Sequence, residues 1–137
     1  MGVSIVDWNE KMATNLLSYL MEKNENHGRI FFVKTDVSKE EEFENAFMKT
    51  AEKFRNIDVV INNAGIINEL QWEKTVAINL EAVLRGTYLA IDKYLPKYSL
   101  GKEGVIVNVS SILGLDVMET LPTYTAAKHG IVGLGKY

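Results

Sequence analysis

Short apolar runs alternate with helical patterns along the whole chain, and this alternation limits the possible folds more than any other feature. The runs are GVSIVD (2–7), RIFFV (29–33), IDVVI (57–61) and GVIVNVS (104–110). Between the first two, Met12, Leu16 and Leu20 recur at the spacing of one buried helix face. Strands that are continuous apolar runs, separated by helices, are typical of a parallel sheet covered on both faces. The pattern therefore predicts a doubly wound α/β fold.

The sequence also predicts where several helices begin and end. Ser38 and Glu41 fit a capping box, with Ser38 as the N-cap and Glu41 three residues later. A long helix is expected over about 72–94, ending before Pro96. Pro122 suits the first turn of a last helix, which is expected to continue to the end of the chain.

Composition excludes several classes of function. A chain of 137 residues with 47% apolar and 24% charged residues has the balance of one globular domain. The net charge of −3 argues against nucleic acid as a partner, because binding phosphates requires a basic face. With no cysteine and only two histidines, we expect no metal site. Any redox chemistry must therefore use an organic cofactor.

Targeting signals are also absent from the sequence. The N-terminus MGVSIVDWNE has neither a basic segment nor a long apolar core, so it does not resemble a signal peptide. No apolar run reaches the roughly 18 residues that a membrane-spanning helix needs. We therefore expect a cytoplasmic protein without a membrane partner.

The pattern Tyr-x-x-x-Lys occurs three times, as YLMEK (19–23), YSLGK (98–102) and YTAAK (124–128). Spacing alone does not distinguish them. Only the third has a hydroxyl partner, because Ser111 stands thirteen residues before Tyr124, at the end of a predicted strand. The third match is therefore the candidate for catalysis, and the alternative is a solvated helix face whose tyrosine has no special role.

Four motifs in order resemble the short-chain dehydrogenase/reductase family. NNAG (62–65) resembles the family's Asn-Asn-Ala-Gly signature, and VAINLEAV resembles its helix with the active-site asparagine, here Asn79. VNVSS and YTAAK resemble its Ser-Tyr-Lys set. The phrases RGTYLAIDKY and AAKHGIVGL are most similar to the branch that holds 15-hydroxyprostaglandin dehydrogenases and insect-type alcohol dehydrogenases.

The resemblance implies that a secondary alcohol is oxidised to a ketone. It makes Tyr124 the general base, Ser111 a hydrogen-bond partner of the substrate oxygen, and Asn79 the holder of a water in the proton relay. Lys128 would bind ribose and favour the phenolate of Tyr124. A tyrosine with a pKa near 10 needs about 4 kcal/mol to be half ionised near pH 7. An ammonium about 5 Å away supplies on the order of 3 kcal/mol, and the positive nicotinamide ring would add the rest.

The same resemblance implies NAD as the cofactor. It places Asp7 on the adenosine ribose, where a carboxylate accepts from the hydroxyls and repels a 2′-phosphate, which favours NAD over NADP. The alternative for Asp7 is a simple cap for the helix that follows. The other implied cofactor contacts are Asp36 and Val37 beside the adenine, the backbone of Asn63, Ala64 and Gly65, and the side chains of Tyr124 and Lys128.

One family motif has no counterpart here. A glycine-rich turn, T-G-x-x-x-G-x-G, should precede Asp7 by about twenty residues, and only six residues stand there. GIVGLG (130–135) has a different spacing and lies inside the last predicted helix, so we interpret it as helix packing. We therefore expect residues 1–137 to form a single incomplete Rossmann-like domain that lacks the family's first and last strands.

The missing first strand has an expected cost. It would lie at the centre of the sheet, so strands 2–7 and 57–61 would expose apolar edges or pair directly, and the chain would be marginally stable or prone to aggregate. Two functions remain open. The first is an NAD-dependent dehydrogenase that acts on a small-molecule alcohol or ketone. The second is a catalytically inert fragment that associates, as a possible homodimer, through helices about 72–94 and 122–137.

Overall fold

The computed structural model describes residues 2–22, 28–101 and 103–135. The chain divides into two compact units, residues 1–57 and 58–137. In both, strands and helices alternate, and each strand lies within two residues of the bounds that the apolar runs predict. The α/β class is therefore confirmed, while a single domain over residues 1–137 stays a prediction.

The first unit consists of two strands, each followed by a helix: β1 (Val3–Asp7), α1 (Glu10–Glu22), β2 (Ile30–Lys34) and α2 (Glu40–Phe54). The strands are parallel, with Ser4 opposite Phe31. Helix α2 packs on this pair of strands through two contacts. Thr50 Oγ1 donates to Ser4 Oγ at 2.8 Å, and the rings of Phe54 and Phe31 pack edge-on with their centroids 6.5 Å apart. The βαβ connection explains the parallel pairing.

The predicted buried face of α1 is wrong for two of its residues. Met12 is 68% exposed and Leu16 is 44% exposed, whereas Ala13 is buried.

The predicted capping box of α2 is wrong. The N-cap is Lys39, and its side chain makes no capping bond. Asp36 Oδ1 instead accepts hydrogen bonds from the backbone N–H and the hydroxyl of Ser38, at 3.0 and 2.7 Å. Glu42 Oε2, rather than Glu41, reaches back to a backbone N–H, that of Asp36, at 2.8 Å. The Asp36 carboxylate is a strong acceptor for the Ser38 hydroxyl and N–H, so it holds the Ser38 side chain in the turn before Lys39.

The second unit has two parallel strands and helices between and after them. The strands are β3 (Val59–Asn62) and β4 (Val105–Asn108), paired from Val59 opposite Val105 to Asn62 opposite Asn108. The α-helices are α3 (Trp72–Val76), α4 (Ala82–Tyr88), α5 (Leu95–Tyr98) and α6 (Pro122–Leu134). Short 3₁₀ turns cover Glu69–Gln71 and Ile112–Gly114, and π-helical segments cover Ala77–Glu81 and Leu89–Tyr94. Helical residues run without a break over 72–98, here called the long helix.

Both predicted helix ends in this unit need correction. The long helix does not stop before Pro96 but continues to Tyr98. Just before the proline it is π-helical, and the Leu95 N–H bonds the carbonyl of Ala90, five residues back. This wider turn accommodates the proline ring, which would clash in a regular α-helix. Helix α6 ends at Leu134, and the predicted extension over residues 136 and 137 lies outside the described residues.

Each unit contains one sheet, and among the described residues each sheet has two strands. In the second unit, α4 packs on β3, whereas alternate side chains of the strands are exposed. Ile61 is the most exposed of them, at 61%. The strands thus pair in the predicted parallel direction, and an apolar face of this sheet is open to solvent. Within the described ranges, no helix has the length and apolar character to cross a membrane.

Candidate active site

Tyr124 and Lys128 lie one turn apart on α6, and their side chains meet. Lys128 Nζ lies 5.6 Å from the centroid of the Tyr124 ring. The lysine is only 4% exposed, and its ammonium donates to the carbonyl oxygen of Val109 at 2.8 Å. Burial lowers the pKa of Lys128 below its ordinary value of 10.5, because desolvation penalises the charged form. The two groups predicted for catalysis thus form one arrangement just beyond the end of β4.

The residues after β4 fix α6 in place. Ser110 Oγ donates to the backbone carbonyl of Lys128 at 2.9 Å. The 3₁₀ turn that follows packs against α6, and it can do so because it ends in glycine. A Cβ on Gly114 would lie 2.5 Å from Ser110 Oγ and 2.8 Å from the Lys128 carbonyl oxygen, closer than real Cβ contacts. Any side chain at Gly114 would therefore push this turn away from α6.

Ser111 stands between β4 and the 3₁₀ turn. Its backbone is extended, and its Oγ accepts a hydrogen bond from the Leu113 N–H at 3.2 Å, so Ser111 caps the turn. This bond uses a lone pair of the hydroxyl rather than its proton. The geometry therefore orients a hydroxyl that is able to donate to a ligand.

Asn79 is fully buried in the first π-helical segment of the long helix. Its Oδ1 accepts from the Ile66 N–H at 2.9 Å, and its Nδ2 donates to the Ile66 carbonyl at 2.7 Å. A Cβ on the neighbouring Gly65 would lie 2.9 Å from Asn79 Oδ1 and 3.8 Å from Lys128 Nζ. The structure therefore brings Asn79, Gly65 and Lys128 together.

The segment predicted to contact the cofactor through its backbone lies at the carboxyl end of β3. Asn63, Ala64 and Gly65 are all exposed and follow Asn62 directly. Since β3 and β4 are parallel and in register to their last residues, this turn and the segment that begins at Val109 leave the sheet at the same edge. Ligands of open α/β sheets bind outside this edge.

A buried polar network that the sequence analysis missed joins the ends of the two strands. Asn62 Nδ2 donates to Asn108 Oδ1 at 2.8 Å and to Thr87 Oγ1 at 3.3 Å. Thr87 Oγ1 donates to the Val83 carbonyl at 2.8 Å and lies 3.3 Å from Asn108 Oδ1. Both asparagines belong to motifs of the sequence, NNAG (62–65) and VNVSS, but no local pattern indicated that they bond each other.

Glu69 is a further residue that the sequence analysis missed. Its two carboxylate oxygens accept the backbone N–H groups of Thr123 and Tyr124, at 3.1 and 2.9 Å. These bonds, that from Tyr124 above all, lower the pKa of Glu69 below its ordinary value of 4.5. The only sequence signal was indirect, because Leu121 cannot cap the helix that begins at Pro122.

The remaining candidates, Asp7, Asp36 and Val37, lie in the first unit. Asp7 is exposed at the end of β1, and its Oδ1 accepts the Asn9 N–H at 2.7 Å. Asn9 is the residue that caps α1, with its Oδ1 3.1 Å from the Met12 nitrogen, so the alternative that Asp7 caps α1 is wrong. Asp36 and Val37 are half-buried in the turn before α2.

Known proteins support the family suggested by the motifs. The sequence model of the short chain dehydrogenase family matches residues 1–137. The 15-hydroxyprostaglandin dehydrogenase [NAD(+)] of Macaca fascicularis is 41% identical over 131 residues, which are 96% of this chain and 48% of the relative. The chain thus spans about half the length of the curated relatives that it matches.

Solved structures agree on the fold. The crystal structure of levodione reductase matches 97% of this chain and 53% of its own, with a TM-score of 0.82 and 30% identity. A short chain dehydrogenase/reductase from Burkholderia phymatum in complex with NAD covers 98% of this chain and 48% of its own, with a TM-score of 0.87. Its identity is 22%, so this match concerns the fold alone. The resemblance to the 15-hydroxyprostaglandin dehydrogenase branch is confirmed, and the chain belongs to the short chain dehydrogenase family.

Proposed function

We propose that this chain carries the catalytic residues of an NAD-dependent dehydrogenase that oxidises a secondary alcohol to a ketone. The observation that carries the proposal is the contact of Tyr124 with a buried lysine ammonium, beside Gly65 and Asn79. The alcohol loses a proton from oxygen and a hydride from carbon. Tyr124, as phenolate, takes the proton.

Lys128 stabilises the negative charge of the Tyr124 phenolate. Its ammonium is held in a direction set by the Val109 carbonyl and is shielded from water, so its field is less screened than at the surface. Ser111 donates its hydroxyl proton to the substrate oxygen, which fixes the alcohol towards Tyr124. The Asn79 side chain bonds the N–H and the carbonyl of Ile66 and so holds that loop in place. Its proposed role in the proton relay is to hold a water.

The residues present fit NAD on two counts. A Cβ on Gly65 would lie 2.9 Å from Asn79 Oδ1 and 3.8 Å from Lys128 Nζ, so glycine lets this exposed backbone lie close to the lysine, where we propose that a nicotinamide ribose binds. Asp7 is an exposed carboxylate after a strand, a group suited to accepting from the hydroxyls of an adenosine ribose. Bound NAD⁺ would supply the acceptor for the hydride. Asp36, Val37, Asn63 and Ala64 complete the proposed cofactor contacts.

The experiment that tests this function compares the chain with its Tyr124→Phe variant. NADH binding is followed by nicotinamide fluorescence, and oxidation of secondary alcohols, beginning with a 15-hydroxyprostaglandin, by NADH absorbance. We expect Tyr124→Phe to lower kcat by about 100-fold to 10,000-fold, the contribution of a positioned base. Unchanged turnover in this variant, or no saturable binding of NADH by the unmodified chain, would refute the proposal.

Tyr98→Phe is the matched control. Tyr98 belongs to another Tyr-x-x-x-Lys match, and its ring stacks on Tyr94 at 6.1 Å, a contact that phenylalanine keeps. We expect its kcat to equal that of the unmodified chain.

NADP in place of NAD should support slower turnover, because the Asp7 carboxylate repels a 2′-phosphate.

Association without catalysis is the second candidate. It is favoured by apolar side chains exposed on the long helix, where Tyr88 is 59% and Ile91 is 52% exposed. In this case the chain forms a homodimer through this helix and α6. Sedimentation of the chain and of a Tyr88→Glu, Ile91→Glu double variant tests this candidate, because the double variant should be monomeric if the long helix forms the dimer interface. A dimer of the unmodified chain that neither binds NADH nor oxidises alcohols supports the second candidate.

A further inference from the structure

Helix α6 begins without a cap of its own. Position 121, where a capping side chain would stand, is leucine and makes no capping bond. The first turn of a helix has backbone N–H groups without partners inside the helix. In α6 two of them, on Thr123 and Tyr124, donate to Glu69, which stands 54 and 55 residues earlier in the sequence. The cap is therefore supplied by a distant carboxylate that binds with both oxygens.

The segment that carries Glu69 is itself fixed to the long helix. Thr75 is fully buried, and its hydroxyl donates to the Asn68 carbonyl at 2.7 Å. Asn68 Oδ1 accepts the Gln71 N–H at 3.1 Å, which closes the 3₁₀ turn that contains Glu69. Two residues before Asn68, Ile66 is held through its N–H and carbonyl by Asn79.

A carboxylate suits this position for electrostatic reasons. The N-terminus of a helix carries partial positive charge, and an anion there is stabilised. The lowered pKa of Glu69 has the same origin, because the N–H bonds favour its ionised form. A neutral amide of the same size would keep one acceptor oxygen and would present an N–H group to the second donor.

We propose that Glu69 is a positioning residue, whose carboxylate joins the segment held by Asn79 and Thr75 to the first turn of α6 and so sets the place of Tyr124 relative to that segment. It touches neither substrate nor cofactor in this role. The proposal rests on the proposed function, because positioning matters for turnover only if Tyr124 is the base. The brace itself can be measured without catalysis.

The first experiment measures the brace in the full chain by NMR. The backbone amide resonances of Thr123 and Tyr124 are followed in the unmodified chain and in Glu69→Gln. We expect both amides to titrate with Glu69 in the unmodified chain and neither to show this titration in the variant. At least one amide should also exchange about tenfold faster in the variant, because its bond to a carboxylate is lost. Glu73→Gln, on an exposed carboxylate four residues later, removes the same charge and should leave both amides unchanged.

The second experiment measures kcat and KM for NAD. Displacing a reacting group by about 1 Å costs about 100-fold in rate, so we expect Glu69→Gln, which keeps part of the brace, to lower kcat by about tenfold with KM for NAD unchanged. Thr75→Val, which keeps Glu69 but removes the bond to Asn68, should act in the same direction and serves if Glu69→Gln fails to fold. Glu73→Gln should keep full turnover.

The two arms separate the proposals. If the unmodified chain is inactive but the Thr123 and Tyr124 amides respond to Glu69→Gln as expected, the brace stands and the proposed function fails. If those amides are unchanged, or if an active chain keeps its kcat in both Glu69→Gln and Thr75→Val, the positioning role of Glu69 is refuted.

Discussion

The two units hold their candidate site residues in different ways. In the first unit the bonds are local: Asp7 and Asp36 each bond a residue two positions later in the sequence. In the second unit Ser111 also bonds a residue two positions later, but the buried site residues bond at long range: Asn79 bonds a residue 13 positions away, and Lys128 one 19 positions away. Asp7 is exposed, whereas Asn79 and Lys128 are buried.

The two kinds of site depend on tertiary structure to different degrees. A turn around a carboxylate forms wherever its few residues meet, so Asp7 and Asp36 need little tertiary structure to adopt their geometry. The arrangement around Tyr124 exists only when strand ends, the long helix and α6 are all packed. Catalytic groups whose rotamers are fixed by such contacts are pre-organised for one reaction geometry.

Asn79→Ala should have the largest effect on stability. The substitution leaves the N–H and the carbonyl of Ile66 without their partner, and an unsatisfied buried group costs about 1–3 kcal/mol, so we expect a loss of roughly 2–4 kcal/mol in the free energy of unfolding. Urea unfolding followed by tryptophan fluorescence measures it. Trp72 lies in the second unit and Trp8 in the first, so Trp8→Phe and Trp72→Phe backgrounds report each unit separately.

The control for this prediction is Asn15→Ala, at an exposed position inside α1. Alanine has the higher helix propensity, so this variant should be as stable as the unmodified chain or slightly more stable. A cost at Asn79 no larger than that at Asn15 would contradict the claim that the second unit depends on long-range polar bonds.

The same division decides what the sequence could predict. Local runs and spacings were sufficient to predict the strands and their parallel pairing. They were also sufficient to predict the motif of Ser111, Tyr124 and Lys128. The contacts of Glu69 with the first turn of α6 join residues 54 and 55 positions apart, and no local pattern encodes them. The Asn62, Thr87 and Asn108 network was missed for the same reason, since it forms only when β3, β4 and α4 pack together.

Two local predictions were wrong because neighbouring residues changed the outcome. Ser38 has the residue type of an N-cap, but the carboxylate of Asp36, two residues earlier, accepts its hydroxyl proton and holds the side chain in another turn. Pro96 has the residue type of a helix end, but the π-helical segment before it removes the clash that would stop the helix. In each case the residue type was correctly identified and its surroundings decided the outcome.

Lys128 should give the second unit a pH dependence of stability. Its pKa is lower in the folded chain than the 10.5 expected when unfolded, so between these values the unfolded chain binds more protons. The free energy of unfolding must therefore rise as the pH increases from the folded pKa of Lys128 to 10.5. Over this range the folded chain loses the buried charge, and with it the cost of burying that charge. We expect the urea midpoint of the unmodified chain to rise relative to that of Lys128→Met as the pH is raised towards 10.5.

Lys49→Met, on an exposed lysine of α2, controls for the loss of one positive charge. Each variant is compared with the unmodified chain at every pH, so that titration of other groups cancels. If the difference for Lys128→Met is independent of pH, or changes in the opposite direction, the ammonium is not desolvated in the folded chain as the structure has it.

Asn9→Ala should have the smallest effect and tests the local side of the comparison. Its Oδ1 caps α1 through the Met12 N–H, and loss of an N-cap costs about 1 kcal/mol. Asn9→Asp is the matched variant, because a carboxylate caps equally well and favours the helix N-terminus. We expect Asn9→Ala to shift the transition reported by Trp8, Asn9→Asp to leave it unchanged, and neither to alter the signal of Trp72. A shift at Trp72 as large as that at Trp8 would show that the cap in the first unit is not a local feature, because its loss would then destabilise residues that it does not touch.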